Sequence, residues 1–198
     1  NPARYLLQWR YVVPLWPRRL PIVFLATYHR QTYPSWAPGG ERIVISHGVY
    51  DLFLHAEERQ PPPPRAVFTS NPLRGLDWLL DLWVRRIRPS VPEGELHLFT
   101  GVATYRESRA APAEKVASVL DRARGMTGAG VVLREPVSHR GLVEELAAAR
   151  VMLYRGDPGE TFCLALAEAQ AMGVPAVVEP IGGVPERIRS EERRVGEE

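Results

Sequence analysis

The 198 residues, 45% hydrophobic and 24% charged with a formal net charge of +2, describe a globular protein with room for one full domain and part of another. Near-balanced charge argues against a strongly basic nucleic-acid surface, and no apolar run approaches the roughly 18 residues of a membrane span. The single cysteine, Cys163, excludes an internal disulfide and a cysteine-rich zinc site and suggests a cytoplasmic location.

The first 28 residues are aromatic, apolar and basic, with Trp9, Trp16, Arg10, Arg18 and Arg19. They read as domain core left open by missing sequence, with contact to a membrane surface or a partner as the second reading. A helix is predicted around Tyr5 to Val13, with strands at Ile22 to Ala26 and Arg42 to Ser46. These elements are too few for an independent domain. The run Gln60-Pro61-Pro62-Pro63-Pro64-Arg65 is a stiff connector. Beyond it, strand and helix alternate. Strand Ala66 to Thr69 precedes a helix at Arg74 to Ile87, and strand Leu96 to Thr100 precedes one at Ala113 to Arg124. Strand Val131 to Leu133 leads to a helix near Leu142 to Ala149, strand Val151 to Tyr154 to a helix from Thr161 to Met172, and strand Ala176 to Val178 comes last. Alternation of this kind predicts an α/β fold, a Rossmann-like parallel sheet flanked by helices, with ligands beyond the carboxyl ends of its strands.

The segment Arg155 to Val178 carries the most chemistry. After the turn run Gly156-Asp157-Pro158-Gly159, apolar residues recur at helical spacing from Phe162 to Met172, and Gly173 and Pro175 supply the stop. The amides of Thr161, Phe162 and Cys163 at that helix start suit a phosphate or diphosphate. Glu160 and Glu168 lie eight residues apart, about 12 Å along a helix, so the two carboxylates can meet different hydroxyl-bearing parts of one elongated ligand. Taken alone, two such acids read as a first-turn glutamate and a solvated one.

With Ala169-Gln170-Ala171-Met172-Gly173-Val174-Pro175 and Gly182-Gly183-Val184-Pro185-Glu186, this segment resembles the donor-binding signature of retaining glycosyltransferases of the GT-B fold, more narrowly family 4, "glycosyl transferases group 1". The resemblance covers most of Ile43 to Ile188. It implies transfer of a sugar from a nucleotide-diphosphate-sugar to an unknown acceptor, with no metal and no cofactor beyond that co-substrate. It also implies Glu160 at the donor sugar, as the catalytic position, and Glu168 at the ribose. Family members commonly have Glu-Gly-Phe-Gly where this chain has Glu160-Thr161-Phe162-Cys163. On this comparison residues 1–46 are a remnant of the N-terminal acceptor domain, 47–65 the interdomain linker and 66–188 the donor domain. Any peripheral membrane contact falls to the missing N-terminal part, and the fragment is expected to be inactive. Residues 189–198 read as a charged tail outside the family pattern, similar to translated adapter sequence.

Ser70-Asn71-Pro72-Leu73-Arg74-Gly75 resembles the family's Gly-Arg-x-x-x-Lys-Gly segment and puts Arg74 at the diphosphate, where a guanidinium binds in a fork. Gly101 ends a strand where backbone can approach a nucleotide closely. Val137, after Pro136, aligns with the segment that lines the family's base pocket, while His139 reads as a surface residue beside a helix cap. Arg155 is read either as a phosphate contact or as the partner of Asp157. The acidic residues have no metal-ligand spacing. The readings left open are a nucleotide-sugar binding module without transfer activity, and a GT-B phosphorylase or sugar-nucleotide epimerase; a nucleic-acid binder ranks last.

Overall fold

Two short β-branched runs pair in parallel near the start of the chain: β1 (Ile22–Phe24) against β2 (Arg42–Val44), with Val23 opposite Ile43. They belong to the first of two compact units, formed by the chain up to Gly48, by Gly156–Leu164 and by residues from Pro180 onward. The second unit comprises Val49–Arg155 and Ala165–Glu179. The computed structural model describes residues 2–55, 60, 62–101 and 113–188. The tail at 189–198 and part of the expected linker therefore lie outside the described residues.

In the first unit Ala3, Ile22, Phe24, Tyr33 and Ala37 form a small core, with Leu15 and Val44 packed against it. A 3-10 turn (Pro2–Leu7) and α1 (Trp9–Arg18) are separated by Gln8 in an extended conformation. The helix therefore starts later than expected. It also runs past Val13, carrying Pro14 and Pro17 inside it and ending at Arg19 in the left-handed region. A second helix, α2 (Thr27–Gln31), had no counterpart in the sequence reading.

The second unit is a five-stranded sheet. Its strands are β3 (Arg65–Phe68), β4 (Glu95–Phe99), β5 (Val131–Arg134), β6 (Val151–Tyr154) and β7 (Ala176–Val178). They lie in the order β5-β4-β3-β6-β7, every pair parallel. Each falls within one residue of its predicted position. β3 and β4 bury residues on both faces, as parallel strands covered by helices must. The chain leaves β3 toward β4 on one side and returns to β6 on the other, so the switch point where ligands bind in open sheets lies beyond β3 and β6.

Helix α3 (Leu76–Leu82) continues through a π-turn (Trp83–Ile87) into α4 (Arg88–Ser90). Leu76, Leu79, Leu80 and Trp83 line its buried side, and the Trp83 indole donates to Ala129 O at 2.8 Å. Its start shifts from Arg74 to Leu76 because Gly75, at φ 86°, closes a turn where a Cβ would come within 2.7 Å of Arg155 Cβ. In α5 (Ala113–Arg124) the buried stripe is Val116, Leu120 and Ala123. Next, α6 (His139–Ala147) is capped by Ser138, whose Oγ accepts the Gly141 N–H at 3.3 Å. Ser138→Ala is expected to lower stability by about 1 kcal/mol, read as a drop in urea midpoint at constant m-value.

The last helix, α7 (Leu164–Ala171), ends at Gly173, φ 69°, with Val174 N–H returning to Ala169 O at 2.9 Å. It begins at Leu164, three residues after the predicted start.

Candidate functional site

The first unit holds the loop that carries Glu160. Asp157 Oδ1 accepts the Gly159 N–H at 2.7 Å, and Glu160 N–H donates to Asp157 O at 2.8 Å, which turns the chain sharply. Glu160 is buried, and its Oε1 accepts the Cys163 N–H at 3.0 Å. Of the three amides expected to receive phosphate, the last is therefore engaged by the loop's own carboxylate. Cys163 sits at φ 64°, a conformation that favours glycine, and its thiol is buried.

Phe162 is buried between the His47 ring, edge-on at 5.4 Å, and the Arg187 guanidinium, 4.3 Å above the ring. Gly183 N–H donates to Glu160 O at 2.9 Å, and Gly182 lies so close that a Cβ would come within 2.5 Å of Asp157 O. Helix α2 is tied into the same unit. The Glu186 carboxylate accepts the N–H groups of Thr27, at 2.8 Å, and Tyr28, and the Tyr28 hydroxyl donates to Pro158 O at 2.8 Å. His29 on α2 is buried, accepts the Leu25 N–H on Nδ1 at 3.2 Å and meets the Phe24 ring edge-on. Burial pushes its pKa down, so at neutral pH the imidazole is neutral with its proton on Nε2.

In the second unit Thr69, Phe99, Thr100, Pro136, Val137, Ser138, His139 and Leu142 enclose a cavity of about 440 Å³ beyond the carboxyl ends of β3, β4 and β5. The volume falls in the range of small-molecule sites. Gly101 lies against its wall, since a Cβ there would come within 3.1 Å of Pro136 Cδ and Cγ. His139 packs against Tyr50 at 4.5 Å and Phe53 at 6.2 Å and stays exposed, as expected of a surface residue beside the helix cap, while lining one side of the cavity.

Glu168 is the only charged residue of α7, and it is buried. Burial raises its carboxyl above the usual glutamate range, and the charge of His139 opposes the shift. Arg74 sits in the turn before α3, its N–H on Asn71 O at 2.9 Å, and is not among the residues lining the cavity. Arg155 pairs with Glu179, Nε to Oε2 at 3.1 Å, and stacks on Trp78, in place of the expected contact with Asp157.

The structure thus gathers the expected residues into two groups. Glu160, Thr161, Phe162 and Cys163 share one loop; Val137 lines the cavity and Gly101 lies against Pro136 on its wall, whereas Glu168 is not among the lining residues. Sequence reasoning passed over Tyr28 and His29, since α2 is too short to announce itself by periodicity; it marked Thr100 as a strand end and Glu186 as part of the Gly182 to Glu186 motif but gave neither a role of its own. Among the described residues no cluster of three or more His, Cys, Asp or Glu side chains could hold a metal ion, and no helix is long and apolar enough to cross a membrane.

The family model described as "Glycosyl transferases group 1" matches residues 63–196. That match takes in most of the tail expected to lie outside the family pattern. No curated protein matches the chain. Among solved structures, the sucrose-phosphate synthase of Thermosynechococcus elongatus superposes with a TM-score of 0.62 at 18% identity, over 83% of this chain and 41% of that one. A glycosyltransferase from Rickettsia africae gives a TM-score of 0.62 at 12% identity, over 94% of this chain and 50% of that one. Anabaena HepE, solved with UDP and glucose, gives 0.61 at 15% identity, over 86% of this chain and 47% of that one. The fold is that of the GT-B glycosyltransferases, and the chain spans half or less of the length of these three structures.

Proposed function

Because the chain belongs to the group 1 glycosyl transferases, we propose that it carries the donor site of a retaining, metal-independent enzyme that moves a sugar from a nucleotide-diphosphate-sugar to an acceptor. The observation that carries this reading is Glu168: a buried carboxylate, alone on an apolar helix, in a unit whose strand ends line a cavity of nucleotide size. A charge kept in such a place at a cost to folding is suited to hydrogen-bonding ribose hydroxyls. Glu160, at the start of the E-x7-E spacing, serves the donor sugar. Arg74 and the amides of Thr161 and Phe162 serve the diphosphate, whose growing negative charge must be stabilised as it leaves. Positive charge developing on the sugar is met by the Glu160 carboxylate.

Calorimetry of the chain with UDP, GDP and ADP tests the donor site, with and without EDTA. Micromolar binding of one nucleotide, unchanged by chelation, is the expected result; no binding of any of them refutes it. Binding in a protein that carries both domains, without sugar transfer, leaves the binding-module reading in its place.

Glu168→Gln is expected to weaken nucleoside diphosphate binding about tenfold while raising stability at neutral pH by about 1 kcal/mol. The sign follows from the shift. Glu168 has a raised pKa in the folded protein, so its contribution is fully present below the ordinary glutamate range and is lost as pH rises through the raised value. The variant should therefore show a flatter stability profile from acid to neutral pH in denaturant titrations.

A further inference from the structure

Glu160 lies inside a closed circuit of hydrogen bonds that begins and ends on Tyr28. The Tyr28 hydroxyl donates to Pro158 O at 2.8 Å, two residues before Glu160. Beyond Glu160 the circuit continues through its carbonyl, which accepts the Gly183 N–H at 2.9 Å, and from Gly183 O to the Glu186 N–H at 3.3 Å. The Glu186 carboxylate closes it by accepting the Tyr28 N–H, with the Thr27 N–H beside it at 2.8 Å. One residue of α2 thus holds the Glu160 turn from both sides, across 130 residues of chain to Pro158 and 158 to Glu186. All of these residues lie in the first compact unit, which joins the loop at Gly156–Leu164 to the chain up to Gly48.

The anchor is fixed and the turn is not. Next to Tyr28, His29 is buried edge-on against Phe24 of β1 and accepts the Leu25 N–H, so α2 is seated on the unit's core. Pro158 and Gly159 are exposed, and an exposed turn held by few bonds opens locally at little cost. A displacement of about 1 Å in a group that must meet a ligand costs a large part of its effect.

We propose that Tyr28 is a positioning residue for the donor sugar: it fixes the turn from which the Glu160 carboxylate reaches that sugar, so the segment before β2 sets the sugar end of the site. The inference rests on the donor-site reading above, which assigns Glu160 to the sugar, and adds to it the residue that holds Glu160 in register. Tyr28 acts through Glu160 and has no contact of its own with the ligand.

The test is calorimetry of the chain with UDP and UDP-glucose, GDP and GDP-mannose, and ADP and ADP-glucose. The quantity read is the sugar increment, the ratio of affinities for the sugar-bearing and the bare nucleotide. Tyr28→Phe removes one hydroxyl and keeps the ring. It is expected to lower the increment about 3- to 10-fold, with bare nucleotide affinity unchanged. Combined with Glu160→Ala it should lower the increment no further than Glu160→Ala alone, the non-additivity of residues that act through one another. Glu186→Gln weakens the other arm of the circuit and should also reduce the increment, thermal melts showing both variants to be folded. An unchanged increment in Tyr28→Phe, an equal loss for bare and sugar-bearing nucleotides, or additive losses with Glu160→Ala overturns the proposal and leaves the donor site standing. If the unsubstituted protein binds nucleotides but shows no increment, the assignment of Glu160 to the sugar fails and that of Tyr28 with it. If it binds no nucleotide, the donor reading itself fails.

Discussion

Glu160→Ala is expected to erase the affinity that a donor gains from carrying a sugar. If Glu160 serves the sugar hydroxyls, the unsubstituted chain binds a nucleotide-sugar more tightly than the bare nucleoside diphosphate, and the alanine variant loses about 10- to 100-fold on the former only, the scale of a charge-assisted hydrogen bond. The geometry adds a second effect. Glu160 is 5% exposed and its Oε1 accepts the Cys163 N–H, so alanine also removes a buried hydrogen bond to a carboxylate, at a cost of about 1.5–3 kcal/mol. Glu160→Gln separates the two, because an amide oxygen still accepts from Cys163 but carries no charge. Denaturant unfolding should place glutamine close to the parent in stability, while calorimetry places it between parent and alanine in sugar preference. Equal nucleotide-sugar affinity in all three proteins would remove Glu160 from the sugar site.

Gly182→Ala is expected to cost about 2–5 kcal/mol and to displace the Glu160 loop. Gly182 has φ 64°, where an L side chain is strained by about 1–2 kcal/mol. A Cβ there would stand 2.5 Å from Asp157 O and 3.0 Å from Glu160 O, both backbone atoms within a hydrogen-bonded turn, and crowding of that kind adds about 1–3 kcal/mol. Thermal melts and nucleotide-sugar calorimetry should report the loss together. Ala substituted for Gly128, around which no neighbouring atom lies within 4 Å, is the control and should change neither measurement.

The strands were legible because each is a short run of mainly apolar residues between turn or helix signals, a pattern that needs no distant information, even where, as in β7, no residue is fully buried. The start of α7 was not. Its apolar spacing begins at Phe162, but Cys163 at φ 64° and the Glu160 carboxylate on the Cys163 N–H hold the chain in a loop until Leu164. From sequence, a glutamate just before an apolar helix reads as a first-turn acid; that it folds forward onto its own loop depends on Gly182 and Gly183 closing over it. Glu168 was found by its spacing from Glu160, but its burial was hidden, since a lone glutamate on a helix usually faces water. Helix α2 escaped altogether: five residues make too short a window for periodicity, and the group that accepts its leading amides, Glu186, is 158 residues from Tyr28. That Arg155 pairs with Glu179 rather than with Asp157 was hidden for a similar reason, Glu179 lying beyond the next helix and strand.

The Glu186 carboxylate also sets an order of events during synthesis. The unit built on β1 and β2 uses the first 48 residues, yet the acceptor for the Thr27 and Tyr28 amides arrives only when residue 186 has been made. At synthesis rates of about 5–20 residues per second, the wait is roughly ten to thirty seconds. The five-stranded sheet needs only residues 49–155 and 165–179, so its chain is complete before the first unit receives Glu186. The segment carrying β1 and β2 is thus finished only after the sheet that follows it in the chain is complete.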